Sequence, residues 1–144
     1  MVELKAEHVL HIHVQCTDGL LVGDSVQGSL CVIPIAGGNF TGKDIKGRVV
    51  PGGADWNTRV SDKVSHVFAK YMIQTDDGEY IAIENAGILN DADSDRVIKT
   101  SPRFTARKGS KYEWLNDGIY VGSLEVSNDP QYAIAVDINI YRML

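Results

Sequence analysis

A chain of 144 residues, 44% hydrophobic and 23% charged, has the makeup of one soluble domain able to bury a core. Its formal net charge of −5, with basic residues scattered, argues against a nucleic-acid partner, because phosphate binding needs a basic face. No apolar run approaches the roughly 18 residues of a spanning helix. The charged opening MVELKAEHVL also lacks a signal-peptide core, so a cytoplasmic protein without a membrane partner is expected.

Residues 2–16 alternate almost without error. Val2, Leu4, Ala6, Leu10, Ile12, Val14 and Cys16 share one face, and Glu3, Lys5, Glu7, His11, His13 and Gln15 share the other. Period two over this length predicts a long, half-buried β-strand, with His8 the one polar exception in the apolar row. Such a strand is long enough to extend past one barrel and pair with a neighbouring copy, so a homo-oligomer is expected. His11 and His13 have a spacing that lets two imidazoles meet a metal, with His66 as a possible third ligand. Their polar neighbours mark this face as the wet one, and solvated histidines are the expected reading; no metal and no cofactor are predicted.

GSLCVIPIAGG (28–38) is an apolar run whose Pro34 predicts an edge, a bulge or a bend. Cys16 and Cys31 are read as buried thiols rather than a disulfide. GGNFTG (37–42) and PGGADW (51–56) bracket a short strand, DIKGRVV, and their glycine pairs supply freedom for sharp turns. Neither GxxxxGK[ST] nor GxGxxG before a helix occurs, so these are not phosphate loops. Asp55-Trp56 has two readings. The carboxylate satisfies turn N–H groups while the indole caps a barrel end; or both line a pocket mouth, Trp56 as a wall and Asp55 as an acid or base. Adjacent strand residues point to opposite faces, so the second reading requires residues 54–56 to be loop or bulge.

KVSHVFAKYMIQT (63–75) and EYIAIEN (79–85) flank DDG (76–78), which predicts a tight hairpin. DADSDRVIK (91–99) has an acidic start and a basic finish compatible with about two helical turns. WLNDGIYVGSLEV (114–126) carries a second Asp-Gly hairpin signal, and YAIAVDINIYRM (132–143) reads as the last strand. Asp55 and Glu84 are a possible carboxylate pair. Tyr71, Tyr80, Tyr112, Trp114 and Tyr120 are expected mostly in the core. No serine or cysteine sits in a nucleophile elbow. The fold expected is all-β: residues 1–144 as a single antiparallel β-barrel of about eight or nine strands, with at most one or two short helices. Closure is preferred to a sandwich because it leaves no long free edge.

Four blocks in order, GGNFTGKDIKGRVVPGGADW (37–56), AKYMIQTDDGEYIAIENAG (69–87), TSPRF (100–104) and YEWLNDGIYVG (112–122), resemble domain-of-unknown-function family 3237. After Phe104 the run TARKGSK departs from the acidic residue and glycine usual there. The resemblance implies a single-domain β-barrel and no particular reaction. Asp55, Trp56, Tyr71, Asn85, Arg103, Trp114 and Asn116 fall on its blocks; His11, His13 and Glu84 do not. The expected function is binding of a small, partly apolar molecule. Asp55 would be the catalytic acid or base of a cyclisation, isomerisation or elimination. Arg103, Asn85 and Asn116 would hold an oxyanion or carboxylate, and Tyr71, Trp56 and Trp114 would form walls. A non-catalytic ligand carrier is the alternative.

Overall fold

The computed structural model describes residues 1–93 and 95–144. Ten strands follow in order: β1 (Ala6–Cys16), β2 (Leu20–Ser25), β3 (Gly28–Gly42), β4 (Ile45–Val49), β5 (Ala54–Arg59), β6 (Val64–Thr75), β7 (Tyr80–Asn90), β8 (Ile98–Thr105), β9 (Tyr120–Val126) and β10 (Ile134–Met143). All pairings are antiparallel. The ladder runs β1-β10-β9-β8-β7-β6, continues through β4 and β5 to β3, and closes from β3 back to β1. The result is a closed eight-stranded barrel with two extra strands and a single 3-10 turn at Glu113–Asp117.

The alternation of β1 places Leu10, Ile12 and Val14 in a core shared with Phe40, Ile73, Ile81, Ile83, Ile138 and Ile140. His8 is explained by a register shift between His8 and Leu10 that buries both Val9 and Leu10. The shift turns His8 outward, where its Nε2 meets Asn139 Oδ1 at 2.9 Å. β1 begins at Ala6 rather than Val2, and Val2 and Leu4 are exposed instead of lining the apolar face; the strand is paired on one edge by β10 and on the other by β3 from Leu10 to Cys16. Cys16 is buried, Cys31 half-buried, and both are free thiols.

The PGG of 51–53 does not end a strand in a simple turn. β4 and β5 occupy one strand position between β3 and β6. Val49 lies opposite Ile73 and Ala54 opposite Lys70, so residues 50–53 face only Tyr71 and Met72. This is a wide bulge, pinned by Val50 N–H donating to Met72 O (2.9 Å) and Gly52 N–H donating to Ile35 O (3.1 Å). Gly53 has φ 77°, and a Cβ there would collide with the Lys70 carbonyl oxygen, so only glycine fits. Pro34 sits where β3 leaves β5 and approaches β1, the expected bend.

The DDG hairpin forms between β6 and β7, with Gly78 at φ 96°. Two expectations are corrected. Residues 91–93 and 95–97 form turn and irregular backbone rather than a helix, and β8 begins at Ile98; Ser94 lies outside the described residues. The short segment simply delivers the chain from β7 to β8. Asp117-Gly118 is not a hairpin turn either: Asp117 ends the 3-10 turn, and Gly118 is extended at ψ 166°. Among the described residues no helix is long and apolar enough to cross a membrane.

Candidate functional site

Residues 54–56 are regular strand rather than loop, so Asp55 and Trp56 point to opposite faces. Trp56 turns outward and is 50% exposed, opposite Val32 and Phe68. Asp55 turns inward. It lies opposite Ile33 on β3 and Ala69 on β6, both packed against the core. The cross-strand row continues from Ala69 to Asn85 on β7 and Pro102 on β8. Asp55 and Asn85 therefore stand two strands apart, about 10 Å between backbones at ordinary strand spacing. Ala69 stands between them on that row.

Tyr71 completes the group. It lies two residues beyond Ala69 on the same face of β6 and is 4% exposed, and its Oη has no hydrogen-bond partner. Asn85 is 2% exposed, and its Oδ1 is also unpartnered. One row nearer the barrel end, Thr100 lies between Gly87 and Gly122, and its buried Oγ1 has no partner. A Cβ at Gly122 would overlap that hydroxyl. Buried polar atoms are nearly always satisfied. Three such orphans stand on neighbouring strands of one interior wall.

The electrostatics agree. Burial raises the Asp55 carboxyl above its ordinary range, against the opposing effect of the Phe68 N–H donated to its Oδ1 at 3.1 Å. Burial also raises the Tyr71 phenol strongly, with Cys16 and Asp55 adding to it. Cys16 is pushed up to about 11 by burial and by Asp55, which places its thiol near that carboxylate and leaves it inert at neutral pH. The opposite wall is apolar, with Val14, Ile134, Val136 and Ile138 on β1 and β10. Asp55 is thus an interior carboxyl whose proton burial holds more tightly than water would.

The structure does not bring the other expected residues into this space. Arg103 is exposed on the outer face, opposite Glu84. Glu84 pairs with Lys70 at 3.4 Å on that outer side and is not a partner of Asp55. Asn116 clamps backbone: its Oδ1 accepts from Ala106 N–H at 2.7 Å and its Nδ2 donates to Ala106 O at 2.9 Å. Trp114, in the 3-10 turn, packs half-buried against the core and borders a groove of about 610 Å³ with Glu7, Lys43 and Arg142. Thr100 escaped the sequence reading although it opens the TSPRF block, because a polar side chain turned inward leaves no mark in hydrophobic alternation. His66 is exposed on β6, remote in the ladder from β1. Among the described residues no cluster of His, Cys, Asp or Glu has a metal-holding arrangement.

Fold and site together define a small antiparallel barrel with an apolar core, in which β5–β8 carry the inward polar groups Asp55, Tyr71, Asn85 and Thr100. The chain belongs to the family described as "Protein of unknown function (DUF3237)", whose model matches residues 4–143. It is similar to a UPF0311 protein of Bradyrhizobium diazoefficiens, 31% identical over 155 aligned positions that cover 98% of this chain and 97% of the relative. Among solved structures, a conserved protein of unknown function from Rhodopseudomonas palustris superposes with a TM-score of 0.87 at 29% identity, all of both chains covered. A structure described as an enzyme from Penicillium herquei superposes with a TM-score of 0.78 at 19% identity, covering 100% of this chain and 97% of that one. This last likeness is one of fold.

Proposed function

We propose that the barrel interior binds a small, partly apolar molecule and that Asp55 acts on it as a general acid–base. The carrying observation is the desolvated Asp55 carboxylate in one interior with the unpartnered Tyr71 Oη and Asn85 Oδ1. Such a carboxylate takes a proton from an acidic C–H or O–H of the ligand and returns it at another position, so the step needs no net supply of protons. That bookkeeping fits cyclisation, isomerisation or elimination. Tyr71 and Asn85 orient the ligand's hydroxyl or carbonyl, and the β10–β1 wall takes its apolar face. Arg103 points outward, and Arg59, on the Asp55 face of β5, is held by Asp91 at 2.8 Å, so a ligand without carboxylate or phosphate is favoured. The barrel of an enzyme from Penicillium herquei has the same fold, which makes the architecture compatible with catalysis.

A carrier without turnover is the second reading. It is favoured by the outward position of Arg103, the residue expected to hold an oxyanion. The two separate in deuterated water. The protein is incubated with a panel of neutral cyclic and aromatic ketones and lactones, and binding and ligand C–H exchange are followed by NMR. Catalysis predicts exchange that Asp55→Asn abolishes while binding persists. Binding without exchange in the native chain establishes the carrier, and no binding by any panel member overturns both.

A further inference from the structure

The histidines of β1 form a cluster that the interior site does not use. His13 is held at both ring nitrogens by carboxylates. Its Nδ1 meets Asp137 Oδ1 on β10 at 2.9 Å, and its Nε2 meets Asp129 Oδ2 at 2.7 Å. Asp129 belongs to the connection 127–133 between β9 and β10. Its side chain is only 3% exposed and that of His13 only 17%, so the contact is nearly dry. Asp129 also accepts from Gln15 Nε2 at 2.9 Å and from the backbone N–H groups of Gln131 (2.8 Å) and Tyr132 (3.1 Å). One carboxylate thus organises its own loop and fastens it to β1.

Carboxylates only accept, so both ring nitrogens must donate, and only the imidazolium has two N–H groups. A neutral ring keeps one donor and turns a lone pair toward the other carboxylate. The surrounding charges reinforce this. His11 Nε2 shares Asp137 Oδ1 at 3.2 Å, and Glu125 on β9 lies opposite Asp137. On the other side the neighbour is the neutral Asn39 of β3, with Arg48 one strand further on β4. The location gives the cluster its meaning. The 127–133 connection joins the end of β9 to the start of β10, at the same barrel end as the close of β1 and of β5, the strand that carries Asp55.

We propose that residues 127–133 are a strap at the rim of the ligand-bearing barrel end, fastened by the His13 imidazolium and unfastened when that ring loses its proton. The regulation of access that follows rests on the small-molecule reading of the interior; the strap itself does not. The hydrogen bonds that His13 donates to Asp129 and then to Asp137 raise it above its ordinary value of 6.5, and Asp129 is held far below the usual carboxylate range. The sign follows. The strap is fully fastened below the ordinary histidine value and loosens as the pH rises through the raised one.

The test uses isotope-labelled native protein with His13→Asn and Asp129→Asn variants, followed by NMR from about pH 5 to about pH 9. The expected result is a His13 titration above 6.5, with the Gln131 and Tyr132 amides losing at least about tenfold in exchange protection across the same step. That step is absent from both variants. Association of the neutral probe N-phenyl-1-naphthylamine should accelerate across the step in the native chain and not in His13→Asn. Titration at or below 6.5, a step that survives His13→Asn, or a probe rate unchanged across the loop transition overturns the proposal. A loop that titrates while no probe enters at any pH supports the strap and overturns the interior reading.

Discussion

Asp55 and Asn85 stand on one cross-strand row inside the barrel, separated only by Ala69. The side chain between the carboxylate and the amide on that row is a single methyl group. Ala69→Leu places an isobutyl group there. The expected cost to stability is about 1–3 kcal/mol from overpacking, with the barrel retained. Binding of neutral ligands in the interior is expected to disappear. Urea unfolding and titration with N-phenyl-1-naphthylamine measure the two effects separately.

Asp55 also gives the fold a definite pH dependence. Burial raises its folded pKa above the ordinary 3.8, so between the two values the native state holds a proton that the unfolded chain has released. Its contribution therefore falls as the pH rises through that window and is flat above it. Asp55→Asn removes the titration and keeps an acceptor for Phe68 N–H. Thermal unfolding should show the variant more stable than the native chain at neutral pH and equal to it near pH 3 (about one unit below the ordinary carboxylate value).

Much of the fold was legible because hydrophobic alternation and hairpin chemistry are local. β1, the β6–β7 hairpin and β10 follow from period two and from Asp-Gly. What escaped was set by pairing. PGG looks like a turn, and only β3 and β6 on either side make it a bulge within one strand position. Trp56 looked like a companion of Asp55 because the glycines masked the start of β5; once β5 is regular, adjacent residues must part. Asn85 was reached through a sequence block, and Thr100 was not reached at all. Polar groups turned inward are invisible to a pattern that reads only apolar faces.

The bulge makes its own prediction. Gly53→Ala must bring a Cβ onto the Lys70 carbonyl at a positive φ, and is expected to cost about 1–3 kcal/mol or more. At Gly52 the surroundings are open and only φ 118° is unfavourable, so Gly52→Ala is expected to cost about 1 kcal/mol. Urea midpoints of the two variants should fall in that order.

Asn116 and Arg103 separate structural from exposed polar residues. Asn116→Ala deletes both bonds to the Ala106 backbone and is expected to cost about 1–3 kcal/mol. Arg103→Ala removes an exposed side chain and is expected to stay within about 0.5 kcal/mol. If either variant abolished ligand binding while keeping native stability, the interior placement of the site would be wrong.

Tyr71 is where the proposed site makes stability and binding oppose each other. Its hydroxyl is buried without a partner, so folding strips it of water and returns nothing. Tyr71→Phe keeps the ring against Ile83 and removes only the orphaned oxygen. The ligand-free variant is therefore expected to be more stable than the native chain by about 1–3 kcal/mol, the penalty usual for an unsatisfied buried group. On the proposed reading of the interior, this hydroxyl donates to, or accepts from, the ligand. Ligand affinity and any Asp55-dependent proton exchange should therefore drop in the same variant whose melting temperature rises. Calorimetry of the free protein and NMR exchange of the bound ligand test the two halves. A variant that is destabilised, or one that is stabilised with binding and exchange unchanged, would remove Tyr71 from the site.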